Sequence, residues 1–571
     1  MSHVSNKKIA NFLFEIADLL ELKGVQFKPR AYRNAAQNIS TLSKDIKTYY
    51  QEKKLQDIEG VGESIAEKVE EIIETGELEY LNELRKKFPE TLQEMMKIQG
   101  LGPKSLMKLY EELGIKSVDE LEKAAKSEQI REIEGFGETS EQNILENIQR
   151  YRKYQERFLL GYILPIAKDI EKQLSNLNEV ERINLAGSIR RRKETIGDVD
   201  ILVVSTDSDK VMDFFTNLDQ VEKVVSKGTT KSTVIAQENL HIDLRVIEEE
   251  SFGSALQYFT GSKSHNIKLR KIALDNDWKL SEYGLIDKHT NEKIAGENEK
   301  DIYEKLGLDY IQPELREDRG EIEAALKGNL PNLIKMEDIK GDLHVHTKWS
   351  EGSHTVEEMA IEAKNLGYKY LGICDHAKIL QIAKGMSDKE IREQMKEIEK
   401  VNDKLDGITV LSGIEANIDS DGKLDVKKEV LKDLDIVVAS IHSGFKSSEK
   451  EMTNRIITAM QNDYVTIIGH PTGRKLNKRE PYEVNLTKIF EEAEKKGIFI
   501  ELNSFPERLD LTDLGCLNAR DYDLFISINT DSHSKDQLRF MELGVSTARR
   551  GWLEKKNVAN TKNFNELKKL L

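Results

Sequence analysis

Residues 197–204 read Gly197-Asp198-Val199-Asp200-Ile201-Leu202-Val203-Val204. Side chains two residues apart on a β-strand point to the same face, so Asp198 and Asp200 should leave the strand together. The apolar residues that follow predict a buried strand that anchors both carboxylates. Two adjacent carboxylates repel each other unless cations neutralise them. The stretch therefore predicts a site for divalent ions such as Mg²⁺, which is typically held by one or two carboxylates and substrate phosphates.

Two flanking segments indicate what such ions would act on. Upstream, Gly187-Ser188-Ile189-Arg190-Arg191-Arg192 follows an apolar strand. A Gly-Ser pair at a strand end lets backbone N–H groups approach a phosphate, and the three arginines offer bidentate donors for a triphosphate. Downstream, His241-Ile242-Asp243-Leu244-Arg245 predicts a further strand, whose Asp243 can orient a hydroxyl nucleophile and complete the metal site. Together the segments indicate nucleotidyl transfer, whereas an isolated Asp-x-Asp would be typical of a solvated turn.

In this order and spacing, the segments resemble the palm of a family X DNA polymerase with a polymerase beta-like core. The resemblance implies that Asp198, Asp200 and Asp243 are the catalytic metal triad, with Mg²⁺ or Mn²⁺. It extends to about residue 315. The residues that it implies for binding dNTP and DNA are Gly187, Ser188, Arg191, Arg157, Tyr258 and Gly261 around the nucleotide, with Asn266 and Arg270 facing the nascent base pair and template.

Length and composition bound the remaining possibilities. A chain of 571 residues should hold three or more domains. With 86 basic and 102 acidic residues the formal net charge is −16, so DNA must be bound by local features rather than by an overall basic surface. The two cysteines, Cys374 and Cys516, exclude a disulfide framework and suit a reducing cytosol. No apolar run approaches the ~18–20 residues of a membrane span, and the start lacks an apolar signal core.

The first 150 residues have the apolar spacing of helices and contain three similar segments. Each places an apolar residue between two glycines: Gly60-Val61-Gly62, Gly100-Leu101-Gly102 and Gly135-Phe136-Gly137. The glycines permit a tight turn, and N–H groups at the start of the next helix can hold a DNA phosphate. The segments resemble helix-hairpin-helix motifs, which grip the duplex backbone without reading its sequence. The third is followed by Glu138 instead of a basic residue and is either a binding hairpin or a structural one.

Residues 1–85 resemble the small N-terminal domain of the same family. The resemblance implies a 5′-phosphate site built from Lys28, Arg30, Tyr32 and Arg33. Lys68 takes the position of the family's Schiff-base lysine, which opens an abasic sugar through an imine. Ser64 replaces a lysine expected nearby, so Lys68 is either a lyase nucleophile or an ordinary solvated lysine.

Beyond a predicted linker, the pattern changes to seven apolar runs separated by helical stretches such as 357–365 and 489–496. The runs are 342–346, 370–376, 410–415, 436–442, 467–471, 498–503 and 525–533. Continuous apolar strands alternating with helices predict a parallel sheet. Seven such units favour a barrel whose strand ends share one rim.

Seven of the eleven histidines lie in this last part, and six of them end the apolar runs. Imidazole nitrogens suit Zn, Mn and Fe, and the added carboxylates favour hard or borderline ions. The arrangement resembles a PHP (polymerase and histidinol phosphatase) domain. The resemblance implies two or three Mn²⁺ or Zn²⁺ ions held by His344, His346, Glu351, His376, Glu415, His442, His470, Asp531 and His533, with Glu351 where the family usually has an aspartate.

Four further residues are predicted around this rim. Asp375 and Asn503 are expected to support metal ligands. Arg474 and Arg479 are expected either to hold a substrate phosphate or to belong to a solvated loop.

The expected fold is therefore multidomain, α+β and α/β: helical hairpin domains, a palm with a mixed sheet, and a seven-stranded (β/α)7-type barrel. We expect a gap and 5′-phosphate domain at 1–85, a helix-hairpin-helix domain at 86–150, the palm at 151–249, a nascent-base-pair subdomain at 250–316, a linker at 317–336 and the PHP barrel at 337–571.

The expected function is base excision repair. A cytoplasmic, bacterial, nucleoid-associated monomer would fill short gaps in DNA from dNTPs, with no membrane partner. Its barrel would act as a metal-dependent 3′–5′ exonuclease, and whether it also acts as an AP endonuclease is left open. Two alternatives remain open: a DNA-end-binding protein with an active palm and a degenerate barrel, and a nuclease joined to a non-templated nucleotidyltransferase.

Overall fold

The computed structural model describes residues 6–40, 42, 46–58, 60–88, 90–96, 98, 101–155, 157–377 and 385–571. Gly100, predicted in the second hairpin, lies outside these residues. Within the described ranges, every helix is too short or too polar to cross a lipid bilayer.

The N-terminal part is helical, as predicted, and its apolar faces pack into one core. That core includes Leu13, Ile16, Val69 and Leu109, all fully buried. The helices are α1 (Asn6–Leu22), α2 (Lys28–Ser40), α3 (Ile46–Gln51), α4 (Glu63–Thr75), α5 (Glu79–Arg85), α6 (Glu90–Met95), α7 (Pro103–Leu113), α8 (Val118–Lys126) and α9 (Glu138–Gln155).

A mixed five-stranded sheet forms the middle of the molecule. Its order is β2-β4-β7-β6-β5, in which β4 and β7 are parallel and the other neighbours are antiparallel. The elements of this part are β1 (Phe158–Leu159), α10 (Leu160–Ser175), β2 (Val180–Leu185), α11 (Gly187–Arg190), β3 (Thr195–Ile196), β4 (Asp198–Ser205), α12 (Ser208–Thr216), β5 (Val221–Lys227), β6 (Lys231–Ala236) and β7 (Leu240–Val246). The run 201–204 is buried, so β4 anchors the acidic pair rigidly, as predicted.

A smaller subdomain follows the sheet. It contains α13 (Phe252–Thr260), α14 (Lys263–Asp275), β8 (Trp278–Ser281), β9 (Gly284–Asp287), β10 (Lys293–Ala295), α15 (Glu299–Lys305) and α16 (Glu321–Leu326). Strands β8 to β10 form an antiparallel sheet.

The stretch 317–336 is not the simple linker that its composition indicated. Its helix α16 packs into the core of the preceding subdomain through Ile322 and Ala325. Glu321 is fully buried, accepts hydrogen bonds from the backbone N–H of Arg319, and lies 2.7 Å from His265 Nδ1. Sequence pattern does not distinguish a charged residue that is buried against a distant partner, such as His265, from a solvated one.

The C-terminal part is the predicted barrel. Seven parallel strands follow one another in chain order, and a bridge between Val345 and Ser532 joins the first strand to the segment after the last, so the barrel is nearly closed. The elements are β11 (Gly341–Val345), α17 (Val356–Asn365), β12 (Tyr370–Ile373), α18 (Asp388–Lys404), β13 (Thr409–Asn417), α19 (Lys428–Leu431), β14 (Ile436–Ser440), α20 (Glu449–Ala459), β15 (Ile467–Ile468), α21 (Leu486–Lys496), β16 (Phe499–Asn503), α22 (Asp513–Ala519), β17 (Ile526–Asn529), α23 (Met541–Arg550) and α24 (Phe564–Leu567).

The palm and the barrel share a packed interface. Leu509 and Leu543 of the barrel belong to the apolar core of the palm. At Gly161 on α10, a Cβ atom would lie 2.7 Å from side-chain carbons of both Leu543 and Pro506, so only glycine allows the helix to approach so closely. The two parts are therefore held in one arrangement by apolar packing.

Candidate functional site

The three predicted acidic residues meet at one end of the palm sheet. The parallel register of β4 and β7 sets Asp200 beside Asp243, and Asp198 beside His241. Asp243 Oδ1 accepts a hydrogen bond from Thr233 Oγ1 at 2.6 Å, and its Oδ2 lies 2.6 Å from Lys231 Nζ.

Electrostatics in this cluster favour a bound cation. Burial, together with the charges of Asp198 and Asp243, raises the pKa of Asp200 to about 6. Burial would also raise the pKa of Asp243, but hydrogen bonds from Lys231 and Thr233 outweigh it and lower that pKa. Lys231 is 41 % exposed at the sheet, so its ammonium can yield its place to an arriving ion. Carboxylates that repel one another at neutral pH fit divalent metals.

Gly187 brings the neighbouring loop against this cluster. Its φ is +65°, a conformation that glycine adopts without strain. A Cβ atom there would lie 2.9 Å from Asp200 Oδ2. The Gly-Ser turn therefore stands directly beside the acidic residues.

A cavity of about 440 Å³ opens next to the turn. Four of the predicted residues line it: Ser188, Arg191, Arg157 and Asp198. Five other charged residues, which sequence reasoning missed, also line it: Lys193, Glu194, Arg319, Asp513 and Arg550. Lys193 continues the arginine run and was open to prediction, but the last two come from the distant barrel and gave no local signal.

Arg190 does not join the cavity, contrary to the prediction for three arginines. Its guanidinium makes two hydrogen bonds to the buried Glu299, at 2.8 and 2.7 Å, and one to Thr260 Oγ1. Arg316, fully buried, donates to Glu299 Oε1 at 2.5 Å, the same oxygen that Arg190 Nη1 contacts. Burial would raise the pKa of Glu299, but Arg316 and Arg190 hold it far below its usual range. Arg190 therefore braces the palm against the following subdomain.

The residues predicted around the nucleotide base lie on α13 and α14. Gly261 has φ +70°. A Cβ atom at Gly261 would lie 3.2 Å from Arg191 Nη1, so the absence of a side chain there lets the Arg191 guanidinium come close. Asn266 is 8 % exposed, donates to the carbonyl of Tyr258 at 2.8 Å and accepts from Gln257. Arg270 is half-buried on the same helix. In this conformation the Asn266 amide is thus occupied by its own subdomain.

The residues of the N-terminal basic stretch differ in burial and in their partners. Lys28 is exposed, but Tyr32 is buried, and burial raises its pKa to about 12. Arg33 is ion-paired with Asp18 and Glu21.

Lys68, the predicted lyase residue, has local partners. Its Nζ donates to the carbonyl and the hydroxyl of Ser64, at 2.9 and 3.1 Å, and lies 5.1 Å from the ring centre of Tyr80.

The hairpins have the predicted geometry where they are described. Gly62 and Gly102 immediately precede α4 and α7, and no described side chain caps either helix, which leaves first-turn N–H groups available to a phosphate. Gly60 has φ +78°, and its Cβ position lies 3.2 Å from the backbone N of Ala35. Gly135 and Gly137 make a similar turn before α9.

At the barrel rim, all nine predicted ligands converge. Glu415 is central, and its carboxylate oxygens lie near five histidines: His376 Nδ1 at 2.9 Å, His470 Nε2 at 3.0 Å, His442 Nε2 at 3.3 Å, His344 Nε2 at 3.6 Å and His346 Nε2 at 3.7 Å. Asp531 Oδ1 lies 3.1 Å from His346 Nε2.

Glu351 reaches the same centre despite its longer side chain. Its Oε1 lies 3.0 Å from His376 Nε2, 2.9 Å from His533 Nε2 and 3.7 Å from His346 Nδ1. Burial would raise the pKa of Glu351, but the two nearer histidines hold it far below its usual range. Glutamate therefore supplies a charged carboxylate at this position.

The donor set fits metal ions. Three groups have ligand atoms close enough to share an ion: His344 with His346 and Asp531, His346 with Glu351 and His376, and His376 with Glu415 and His442. Several buried atoms of the nine predicted ligands make no hydrogen bond within the described structure, namely His344 Nε2, His346 Nδ1 and Nε2, Glu351 Oε2, His376 Nδ1, His442 Nδ1 and His470 Nδ1. Buried polar atoms without partners are rare, and ligation would satisfy them.

Further residues hold the ligands in place. Asn503 donates to Asp531 Oδ2 at 3.0 Å, and Asp375 accepts from Thr347 and Ser350 in the loop that carries Glu351. Both occupy the supporting positions that the sequence predicted. Two supports were missed: Glu501, 2.7 Å from His344 Nδ1, and Arg508, whose Nε lies 3.3 Å from Asp531 Oδ2. Glu501 lies inside the apolar run 498–503, and a carboxylate within such a run is a signal from which its role could have been predicted.

Arg474 and Arg479 do not lie on a solvated loop, and both line a cavity of about 860 Å³. Arg474 is buried, pairs with Glu194 of the palm at 2.7 Å and donates to the carbonyl of Leu509. Arg479 donates to the carbonyl of Gly473 and stacks over Phe445 at 4.0 Å. Arg474 thus joins the palm to the barrel.

Comparison with known proteins agrees with this geometry. Family models match in five places: a helix-hairpin-helix domain at 4–78, a SAM-like helix-hairpin-helix tandem at 92–150, a DNA polymerase beta palm at 163–267, a DNA polymerase beta thumb at 255–317 and a PHP domain at 342–505. The chain is 37 % identical over 568 residues, 99 % of each chain, to the DNA polymerase/3′-5′ exonuclease PolX of Bacillus subtilis strain 168. The chain belongs to the family X DNA polymerases that carry a PHP domain.

Two other relatives match only part of this family X chain. A probable phosphatase of Thermoanaerobacter sp. strain X514 is 32 % identical over 213 residues, 35 % of this chain and 82 % of its own. DNA polymerase lambda of Rattus norvegicus is 24 % identical over 350 residues, 55 % of this chain and 58 % of its own. Asp531 and His533 lie beyond the matched PHP range, yet the structure sets them among the other ligands.

Proposed function

We propose that this protein is a DNA repair polymerase that fills short gaps by template-directed dNTP addition, and that its PHP barrel is a metal-dependent 3′–5′ exonuclease. The observation that carries the proposal is the junction of Asp198, Asp200 and Asp243 with a cation-lined cavity at the Gly187-Ser188 turn. The barrel rim, where the nine predicted ligands lie close together, would supply a second, separate centre.

In the palm, the cavity residues would bind the dNTP, and the acidic residues would orient the reacting groups. Ser188, Arg191 and Arg157 would hold the triphosphate of the dNTP so that its α-phosphorus faces the acidic cluster. Asp243, whose carboxylate adjoins Asp200, would orient the primer 3′-OH for in-line attack. Pyrophosphate would then leave on the side of Arg191. Mg²⁺ or Mn²⁺ on the three carboxylates would neutralise the charge that develops on the attacking and leaving oxygens.

In the barrel, the rim would hydrolyse the terminal phosphodiester of a 3′ end. Mn²⁺ or Zn²⁺ on the His and carboxylate set would activate water. Glu501 fixes the ring of His344, and Asn503 fixes Asp531, so the ligands are held before the ion binds. An AP endonuclease activity would use the same centre.

The helical hairpins and the subdomain after the palm would hold gapped or nicked DNA. First-turn N–H groups at Gly62 and Gly102 contact backbone phosphate regardless of sequence, which suits repair at any locus. Such an enzyme would work as a monomer at the cytoplasmic nucleoid. Lys68 would act as the lyase nucleophile once its ammonium is released from Ser64.

One experiment tests both centres. A duplex with a 5′-phosphorylated one-nucleotide gap is supplied with dNTPs and Mg²⁺ or Mn²⁺, and the primer is followed for extension and shortening. Asp198→Ala should abolish extension and leave shortening, and His344→Ala should do the reverse. If neither substitution alters any turnover, the protein is a scaffold for DNA ends. If extension ignores the template base, the palm is a non-templated nucleotidyltransferase.

A further inference from the structure

The wall of the nucleotide cavity is built from two parts of the chain. Ser188, Arg191 and Asp198 line it from the palm, whereas Asp513 and Arg550 line it from the barrel. Asp513 is the first residue of α22, and Arg550 is the last residue of α23. The barrel therefore reaches the place where the triphosphate is proposed to bind.

The barrel and the palm meet there on one carboxylate. Glu317 Oε1 lies 3.0 Å from Arg191 Nε and also 3.0 Å from Arg550 Nη1. Arg550 further donates to the carbonyl oxygen of Arg191 at 2.8 Å and to Asp513 at 2.6 Å. The Arg550 side chain is 3 % exposed and that of Glu317 is 11 % exposed, so solvent screens this network weakly.

Positive charge is crowded around the cavity. The lining contains five cationic residues, Arg157, Arg191, Lys193, Arg319 and Arg550, and three acidic ones, Glu194, Asp198 and Asp513. Burial lowers the pKa of Lys193, and the charges of Arg550 and Arg191 lower it further, against the opposing pull of Glu317. Cationic side chains that repel one another in this way indicate a site that is suited to bind a polyanion.

We propose that the PHP barrel completes the nucleotide pocket of the palm. Arg550 is a positioning residue that neutralises Glu317. Because Glu317 keeps this partner, Arg191 is free to exchange that carboxylate for the triphosphate. The inference rests on the triphosphate pocket proposed above. It gives the barrel a part in dNTP binding that is independent of its own metal centre.

The physical argument concerns the fate of Glu317 when a nucleotide binds. Arg191 must then give its donors to phosphate oxygens, and a buried carboxylate left without a partner is strongly unfavourable. Arg550 remains on the same oxygen and carries that charge. Without Arg550, Glu317 would retain Arg191 and repel the triphosphate. The loss should therefore appear in dNTP binding more than in the chemical step.

The test compares four variants of the full-length protein in gap filling with Mg²⁺. Arg550→Gln should raise the dNTP KM by about tenfold or more with a smaller change in kcat. Glu317→Gln should relieve that defect, so the Arg550→Gln/Glu317→Gln double variant should have a KM within about threefold of Glu317→Gln alone. Arg549→Gln is the matched control: Arg549 is the neighbouring arginine on α23 and pairs with Glu314, but it does not line the cavity.

Folding is monitored by circular dichroism and by exonuclease turnover, which every variant should retain. If Arg550→Gln is poorly folded, Arg550→Lys replaces it; it keeps the charge but not the fork of donors, and an intermediate KM is expected. An unchanged KM in the folded Arg550 variant, or a raised KM that Glu317→Gln does not relieve, overturns the inference. Arg191→Ala distinguishes a failure of the inference about Arg550 from a failure of the proposed triphosphate pocket. If Arg191→Ala leaves the dNTP KM unchanged, the proposed pocket itself is wrong.

Discussion

Gly187 packs so closely against Asp200 that a Cβ atom at Gly187 would lie 2.9 Å from Asp200 Oδ2. The contact joins the phosphate-binding turn to the acidic cluster. It means that the position of one carboxylate depends on the absence of a side chain elsewhere in the chain.

Gly187→Ala should therefore impair gap filling selectively. The added methyl group would push Asp200 out of line with its neighbours, and the φ of +65° would add backbone strain. A displacement of about 1 Å at a catalytic centre can cost about 100-fold in rate, so a fall in kcat of that order is expected. Steady-state extension of a gapped primer measures it. Exonuclease turnover is the internal control, and wild-type extension rates would contradict the expected contact.

Glu501→Gln should weaken metal binding at the barrel. Glu501 lies 2.7 Å from His344 Nδ1. Substitution of a carboxylate that supports a metal ligand in this way typically lowers metal affinity or activity by about 10- to 100-fold. Metal content per chain after dialysis, together with primer shortening, measures the effect. Glu491→Gln, at an exposed position of α21, is the matched control and should behave as wild type.

Glu351→Asp should also reduce metal occupancy, although it restores the residue usual in the family. Shortening the side chain by one methylene withdraws the carboxylate by about 1.5 Å from His376 and His533. These histidines now lie 3.0 and 2.9 Å away. Mn²⁺ titration of exonuclease turnover should show a weaker apparent affinity, with gap filling unchanged. Equal or tighter Mn²⁺ binding would show that the longer side chain is not matched to this rim.

Glu299→Gln should destabilise the palm and the subdomain that follows it. The substitution leaves Arg190 and Arg316 without their shared carboxylate, and removing one partner of such a buried pair costs about 3–5 kcal/mol. Chemical denaturation, followed through loss of gap filling, measures the change. Glu304→Gln, which pairs with Lys300 on the surface, is the control and should have little effect.

The ion pairs of Glu299 with Arg190 and Arg316 also predict how the stability of the fold depends on pH. The pKa of Glu299 in the folded protein lies below its ordinary value of 4.5, so protonation favours the unfolded state. Its contribution is complete above that ordinary value and is lost as the pH falls through the folded pKa. The melting temperature of wild type should therefore fall more steeply than that of Glu299→Gln as the pH is lowered from 5 toward 3. Parallel curves for the two proteins would contradict this account.

Local patterns in the sequence were sufficient for much of the fold. The alternation around Asp198 and Asp200 predicted a strand with both carboxylates on one face, and seven apolar runs predicted a parallel barrel. Strand periodicity places side chains by a local rule, so the residues at strand ends could be assigned to one rim before any tertiary contact was known. The same reasoning treated Arg190 as a phosphate ligand and 317–336 as a linker, because charge alone does not show which partner a residue will meet.

By itself, the sequence determined which residues could carry chemistry: the acidic residues of the palm, the histidines and carboxylates of the barrel, and the glycines of the hairpins. Only the tertiary structure decided which of them meet. The register of Asp200 against Asp243, the support of His344 by Glu501 and the sharing of Glu317 by Arg191 and Arg550 each join positions far apart in the chain. Such contacts arise from the packing of whole elements, and packing depends on the shape of both partners, which no local pattern contains.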